Sequence, residues 1–383
     1  MKVTISVPGK FPPAYQWAHY LESRGELERL VTMLPYSRGK AFGVSRRRTL
    51  ALSAFGVWSH IFQPKVPVRT QPQTQLAMSI AFDLLASRVL GDVDVVNSWA
   101  SVALTSIRRA KKRGIPVVLQ TGSAHVRWQT EAVNGEASRL GIDWPRTAES
   151  LIRRTEAEYA EADAIVVPSR FAARTFIEQG VPARKVAIVP WAVRPVVREH
   201  YERPARETVT ILFVGALSVR KGVAHLVDVF RRLPGHARLR LVGPPSPALV
   251  DSLAPLPRHA QVVGPLRGGA LAREFHDADI FVMPSIEDGS ACATMEAMAA
   301  GLPVVVSDAA GADLVHHGTS GFVFSAGDAG ALCERLSMLI DDRELRLQVG
   351  AQGAAAVSSR TGDDYGAQLV ADVYEPLLAK RRL

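Results

Sequence analysis

The chain has 383 residues, 47% of them hydrophobic and 22% charged, and 46 Lys/Arg against 37 Asp/Glu give it a net charge of +9. It is long enough for two ordinary domains, each burying its own core. No segment has the about 20 apolar residues of a membrane span and no signal-peptide core follows the start, so the expectation is a cytoplasmic protein, soluble or peripheral on the inner membrane face.

Short apolar runs alternate with helix-length segments along the chain. Residues 3–7, 93–96, 117–119 and 165–167 read as buried strands, and 14–23, 100–113, 145–161 and 171–179 as helices between them. The pattern restarts with strands at 209–214, 239–242, 280–283 and 304–307 and helices at 223–233, 271–276, 290–300 and 329–340. Such alternation predicts an α/β chain of two doubly wound, Rossmann-like domains, each a parallel sheet covered by helices, facing one another across a cleft. The stretch 190–204, with its prolines and charges and little apolar periodicity, places the boundary: residues 1–193 form one domain and 194–362 the other. Residues 363–383 are helical in character and are expected to cross back to the first domain.

Charge is unevenly placed. Residues 1–195 hold 27 Lys/Arg against 15 Asp/Glu, whereas 196–383 hold 19 against 22. Within 29–82 there are eight basic residues and no acid, and the triple arginine Arg46, Arg47, Arg48 precedes an apolar, aromatic run at 50–62. Residues 38–69 therefore suit either peripheral contact with an anionic membrane or an ordinary packed helix with a solvated end. No nucleic-acid-binding module accompanies the charge, so no nucleic-acid partner is expected.

Two constellations carry chemistry. In Phe213-Val214-Gly215-Ala216-Leu217-Ser218-Val219-Arg220-Lys221-Gly222 a strand ends, the backbone turns, and two cations stand before a helix, where guanidinium, ammonium and helix dipole converge on an anion such as a diphosphate. In residues 284–303, PSIEDGSACATMEAMAAGLP, a strand ends in a tight loop and Ser290 is placed to cap a helix stopped by Gly301 and Pro303. The amides near Ser290, Ala291 and Cys292 make a phosphate seat; Glu296 is placed to accept from vicinal hydroxyls such as those of a ribose, and Asp288 to reach a sugar beyond the phosphates. Together they suit a nucleotide sugar.

Other motifs carry less. Asp92-Val93-Asp94 and Asp277-Ala278-Asp279 are spaced like metal-binding D-x-D pairs, but each precedes an apolar run and reads as the start of a strand. No Walker loop and no G-x-G-x-x-G after the first strand is present, and neither is HExxH or a paired Cys/His cluster; Cys292 and Cys333 lack zinc-ligand spacing.

The joint occurrence of FVGALSVRKG and PSIEDGSACATMEAMAAGLPVVVSD resembles the donor half of glycosyltransferase family four (group 1), retaining enzymes of the two-domain GT-B fold. Smaller echoes lie at Val166-Val167-Pro168-Ser169, Val189-Pro190-Trp191-Ala192-Val193 and Gly321-Phe322-Val323-Phe324, so the likeness is close over residues 160–345 and loose before them. It implies that Lys221 contacts the donor diphosphate with Arg220 beside it, although Ala216 stands where the family often has an arginine. Glu296 falls at the second glutamate of the E-x7-E motif, the ribose ligand. Asp288, one methylene short, falls at the first, with Glu287 as a neighbouring substitute. Gly215, Gly289, Ser290 and Ala291 complete the donor seat, His125 matches a cleft histidine that touches the donor sugar, and Gly9 the remnant of a glycine pair near the diphosphate.

The resemblance thus implies retaining transfer from a nucleoside-diphosphate sugar, held by the second domain, to a hydroxyl of a glycan, lipid-linked or small-molecule acceptor presented by the first. The sugar nucleotide serves as co-substrate and no cofactor or metal is called for, the leaving diphosphate being neutralised by Arg220, Lys221 and a helix start. A sugar-nucleotide epimerase and a non-catalytic nucleotide-sugar-binding protein are the competing readings.

Overall fold

The computed structural model describes residues 1–9, 11–57, 70–192 and 207–382. The strands are β1 (Val3–Val7), β2 (Leu27–Thr32), β3 (Thr49–Ala51), β4 (Val95–Trp99), β5 (Val117–Gln120), β6 (Ala164–Val167) and β7 (Val186–Ile188), then β8 (Val209–Val214), β9 (Ala237–Val242), β10 (Ala260–Gly264), β11 (Ile280–Met283), β12 (Val304–Ser307) and β13 (Phe322–Phe324). They form two sheets, in the orders β3-β2-β1-β4-β5-β6-β7 and β10-β9-β8-β11-β12-β13. Every ladder is parallel.

The near-continuous apolar character of β1, β5, β6, β8, β11 and β12 follows from this topology. Helices cover both faces, so no face of a central strand meets water. Val3, Ile5, Val117, Leu119, Ile211, Phe213, Phe281 and Val305 are all buried. Strand order reverses between β1 and β4 in one sheet and between β8 and β11 in the other, and the crevices beyond the carboxyl ends at these reversals are where open α/β sheets bind ligands.

Strands β2, β3, β7, β10 and β13 are absent from the sequence expectation because they are edge or near-edge strands of three to six residues, and β2 carries the charges of Glu28 and Arg29. β3 takes up the start of the apolar run 50–62: Leu50 pairs with Val31, and Arg48 is ion-paired with Glu28 at 3.1 Å. A short helix, Ser53–Val57, follows, and the rest of that run, with Lys65 and Arg69, lies outside the described residues, as does the expected 193/194 boundary. Helix bounds also move, from 100–113 to Leu104–Lys112 and from 145–161 to Glu149–Glu161.

The D-x-D carboxylates close strand ends. Asp94 accepts the Lys2 amide at 2.7 Å and Asp279 the Thr210 amide at 2.8 Å. The C-terminal segment packs on the first sheet: the Tyr365 hydroxyl donates to Gln120 at 2.9 Å, and the Asn97 side-chain amide donates to the Tyr374 hydroxyl at 2.6 Å. Among the described residues no helix is long and apolar enough to cross a membrane.

Candidate functional site

At the carboxyl end of β8 the chain passes Gly215 into a single 3-10 turn, Val219–Lys221, which ends on Gly222 with φ of 66°. Gly222 is required twice over. Its left-handed conformation strains an L side chain, and a Cβ there would overlap the carbonyl of Pro284 at the end of β11. That close packing sets Arg220 and Lys221 against the β11 loop: the Ile286 amide donates to the Arg220 carbonyl at 2.9 Å.

The two cations meet two carboxylates. Lys221 is ion-paired with Asp288. Arg220 donates to Glu287 at 2.8 Å, approaches Asp288 at 3.8 Å, and donates to the Ser123 hydroxyl of the first domain at 3.3 Å. Burial, and then the adjacent Arg220 guanidinium, push the Lys221 ammonium down to about 7 against the opposing charge of Glu287. An anion entering here would relieve that penalty.

Helix Cys292–Ala299 begins one residue later than its sequence suggests. Its N-cap is Ala291, without side-chain capping, so Ser290 is not the cap; Ser290 instead lines the cavity. The Ala291 amide is also committed, donating to Ala310 at 3.1 Å, and a Cβ on Gly289 would overlap the Gly122 carbonyl of the first domain. The helix start that opens on the cavity is therefore that of Cys292 and Ala293, which line it, rather than residues 289–291. Burial and the nearby Glu296 carboxylate push the Cys292 thiol up to about 12.

Arg220, Lys221, Asp288, Ser290, Ala291, Gly215 and Glu296 line one cavity of about 580 Å³ between the sheets. A second, of about 690 Å³, shares Val214, Gly215, Cys292 and Glu296 with it and is walled by Pro244, Pro265 and Leu266. Half-buried Glu296 thus stands where the two meet.

Two residues are not brought to the site. His125 is buried behind the cleft wall, between the rings of Tyr159 and Phe176 at centroid distances of 4.9 and 5.2 Å. Its Nδ1 accepts the Arg127 amide at 3.3 Å, capping helix Val126–Arg139, and burial lowers its pKa to about 4 against the pull of Glu156. A histidine beside a strand end looks the same in sequence whether it faces the cleft or caps the next helix. Gly9 lines neither cavity and has no atom near its would-be Cβ.

Glu287, the neighbouring substitute for Asp288 in the motif, takes a bridging place, and the aromatic lining is what the motifs did not single out. Glu287 is fully buried and, besides Arg220, takes the Ala124 amide at 2.8 Å and the Gln129 side-chain amide at 2.6 Å, tying the second domain to the first. Phe11, Trp99 and Trp191 line the first cavity from the other side.

The chain is 30% identical over 278 residues to a GDP-mannose-dependent alpha-mannosyltransferase of Mycobacterium tuberculosis, an alignment covering 69% of each chain. It belongs to the group 1, family 4 glycosyltransferases. The description "Glycosyltransferase Family 4" matches residues 26–196 and "Glycosyl transferases group 1" residues 208–342, so both halves of this family member are accounted for. The sulfoquinovosyl transferase SQD2 of Arabidopsis thaliana is 34% identical over 146 residues, 37% of this chain and 28% of its own. AmsK, an amylovoran biosynthesis glycosyltransferase of Erwinia amylovora, is 27% identical, and the alignment covers 57% of this chain and 58% of its own length.

The fold is GT-B. Sucrose-phosphate synthase from Thermosynechococcus elongatus superposes with a TM-score of 0.72 at 18% identity, covering 99% of this chain and 100% of its own. Anabaena HepE in complex with UDP and glucose does so with 0.70 at 15% identity, covering 98% and 100%.

Proposed function

We propose that this family member is a retaining glycosyltransferase that moves a sugar from a nucleoside-diphosphate sugar to an acceptor hydroxyl of a glycan, lipid-linked or small molecule. The observation that carries the reading is the convergence of Arg220, Lys221, Glu296 and the start of helix Cys292–Ala299 on one cavity beyond the β8/β11 strand-order reversal. Relatives named for GDP-mannose and a structural neighbour holding UDP and glucose support a nucleotide-sugar donor.

In this reading residues 194–362 hold the donor and residues 1–193 the acceptor, with the last segment packed across them. Arg220, Lys221 and the amides of the helix start stabilise the diphosphate as it leaves, without a metal. Glu296 accepts from the ribose hydroxyls, and the apolar wall of Pro244, Pro265 and Leu266 takes the base. Asp288 orients the Lys221 ammonium and, when that ammonium turns to the diphosphate, is left facing the donor sugar. Departure of the diphosphate leaves an oxocarbenium-like centre; the acceptor hydroxyl attacks the same face, and a leaving phosphate oxygen takes its proton. Shielding by two closed domains limits hydrolysis. Peripheral membrane contact through 38–69 is retained within the proposal for exposed Arg46 and Arg47.

Thermal-shift screening of UDP-, GDP- and ADP-sugars at fixed concentration tests the donor reading, because a ligand that binds only the folded chain raises its melting temperature. No shift with any of them contradicts it.

A further inference from the structure

We propose that the aromatic wall on the first-domain side of the cleft is an acceptor subsite that stacks a saccharide ring, with Trp99 as its platform and Glu158 as a positioning residue beneath it. The inference rests on the donor reading of the opposite wall.

Phe11, Trp99 and Trp191 form one aromatic group, with the Phe11 ring 4.2 Å from Trp99 at 52° and 4.5 Å from Trp191 at 74°. Trp191 is buried, whereas Phe11 and Trp99 keep part of their surface open, and all three line the cavity that holds Arg220 and Lys221. Gly122 fits beneath them. A Cβ there would come within 3.1 Å of the Trp191 ring and 3.3 Å of the Trp99 ring, so both indoles lie directly against backbone. Phe11 follows β1 and Trp99 ends β4, so two of the rings stand at the strand-order reversal of the first sheet, opposite the reversal that carries the two cations.

Beside Trp99 the backbone is strained. Ser101 has φ of 75°, and among the described residues it is the one non-glycine with positive φ. A conformation of this kind persists only where its surroundings over-determine it. Here they do: the fully buried Glu158 carboxylate takes the Ser101 amide at 2.6 Å and the Ala103 and Leu104 amides at 2.9 and 3.1 Å. Thr155, also fully buried, donates to the Ser101 hydroxyl at 3.2 Å. Two buried side chains thus hold a turn whose residues 99–101 face the cleft.

A pyranose ring has a face of C–H groups and a rim of hydroxyls. Its match is a flat aromatic surface bordered by a few polar groups. Ser101, Thr121 and Gln129 supply that border in the same cavity. An acyl chain would instead call for a dry, apolar channel, which a wall shared with Arg220 and Lys221 does not offer.

The test is saturation-transfer NMR with methyl α-D-glucopyranoside, methyl α-D-mannopyranoside and maltose as probes and 1-octanol as the non-carbohydrate control, with and without UDP, GDP or ADP. At least one saccharide is expected to receive saturation at its ring C–H protons. Trp99→Ala is expected to weaken that saccharide roughly tenfold and Trp99→Phe to recover most of the loss, while nucleotide affinity changes by less than about twofold. Phe11→Ala is a second variant on a different loop, and Glu158→Gln is expected to weaken the saccharide with nucleotide affinity again unchanged. Absence of transfer to all three saccharides, wild-type saccharide affinity in Trp99→Ala and Phe11→Ala, or binding of octanol alone would overturn the proposal. Failure of UDP, GDP and ADP alike to bind wild type would instead count against the donor reading, since saccharide binding to the Trp99 wall is also measured without nucleotide.

Discussion

The Arg220 guanidinium donates to the Glu287 carboxylate at 2.8 Å, and that carboxylate also binds the Ala124 amide and the Gln129 side chain from beyond β5 of the first sheet. One buried acid therefore both neutralises Arg220 and ties the two domains together. In the proposed donor reading, a diphosphate drawing Arg220 toward itself would compete with this ion pair and so couple donor arrival to the contact between domains.

Glu287→Ala leaves three donors without their acceptor. Loss of one partner of a buried ion pair costs about 3 kcal/mol or more, so the variant is expected to unfold at clearly lower urea, with Glu287→Gln intermediate. Chemical denaturation of the three proteins measures this; equal midpoints contradict the buried role.

Gly289 touches the Gly122 backbone across the cleft, with no room for a methyl group. Gly289→Ala is expected to keep both domains folded by circular dichroism but to hold them apart, enlarging the radius of gyration in solution scattering. Misplacing reacting groups by about an ångström lowers rates by roughly 100-fold, and a loss of that order is expected in sugar transfer. An unchanged transfer rate removes the contact from the closed, active arrangement.

His125 makes stability fall in acid. Its pKa is lowered in the folded protein to about 4, so between that value and the ordinary histidine value near 6.5 the unfolded chain binds the extra proton. Stability is full above about pH 6.5 and declines as pH drops toward 4, by roughly 3 kcal/mol at most. Melting temperatures measured from pH 7 to 4.5 should decline less steeply in His125→Asn, which keeps an N-cap acceptor and does not titrate. A parallel decline in both proteins shows that other groups set the acid limb.

The sequence disclosed the central strands and the motif residues because each has a local cause. Buried parallel strands read as apolar runs, and Arg220, Lys221 and Glu296 stand at fixed offsets from strand ends. What stayed hidden depends on direction and on distant partners. The sequence suggests a cleft position for His125, yet it faces Tyr159 and Phe176, with Nδ1 serving the next helix. Ser290 has the residue type and position of a cap, but the helix starts after Ala291. Glu287 meets Ala124 and Gln129 more than 150 residues away in sequence, a pairing that no spacing rule contains.

In the proposed function, Lys221 and Glu296 grip the diphosphate and ribose of one donor. Calorimetric titration of UDP-glucose, GDP-mannose and ADP-glucose into wild type, Lys221→Ala and Glu296→Ala measures it directly. At least one sugar nucleotide should bind wild type, and each substitution should weaken it by about tenfold or more, or about 1.4 kcal/mol. Binding of that donor with wild-type affinity in both variants would place the site elsewhere.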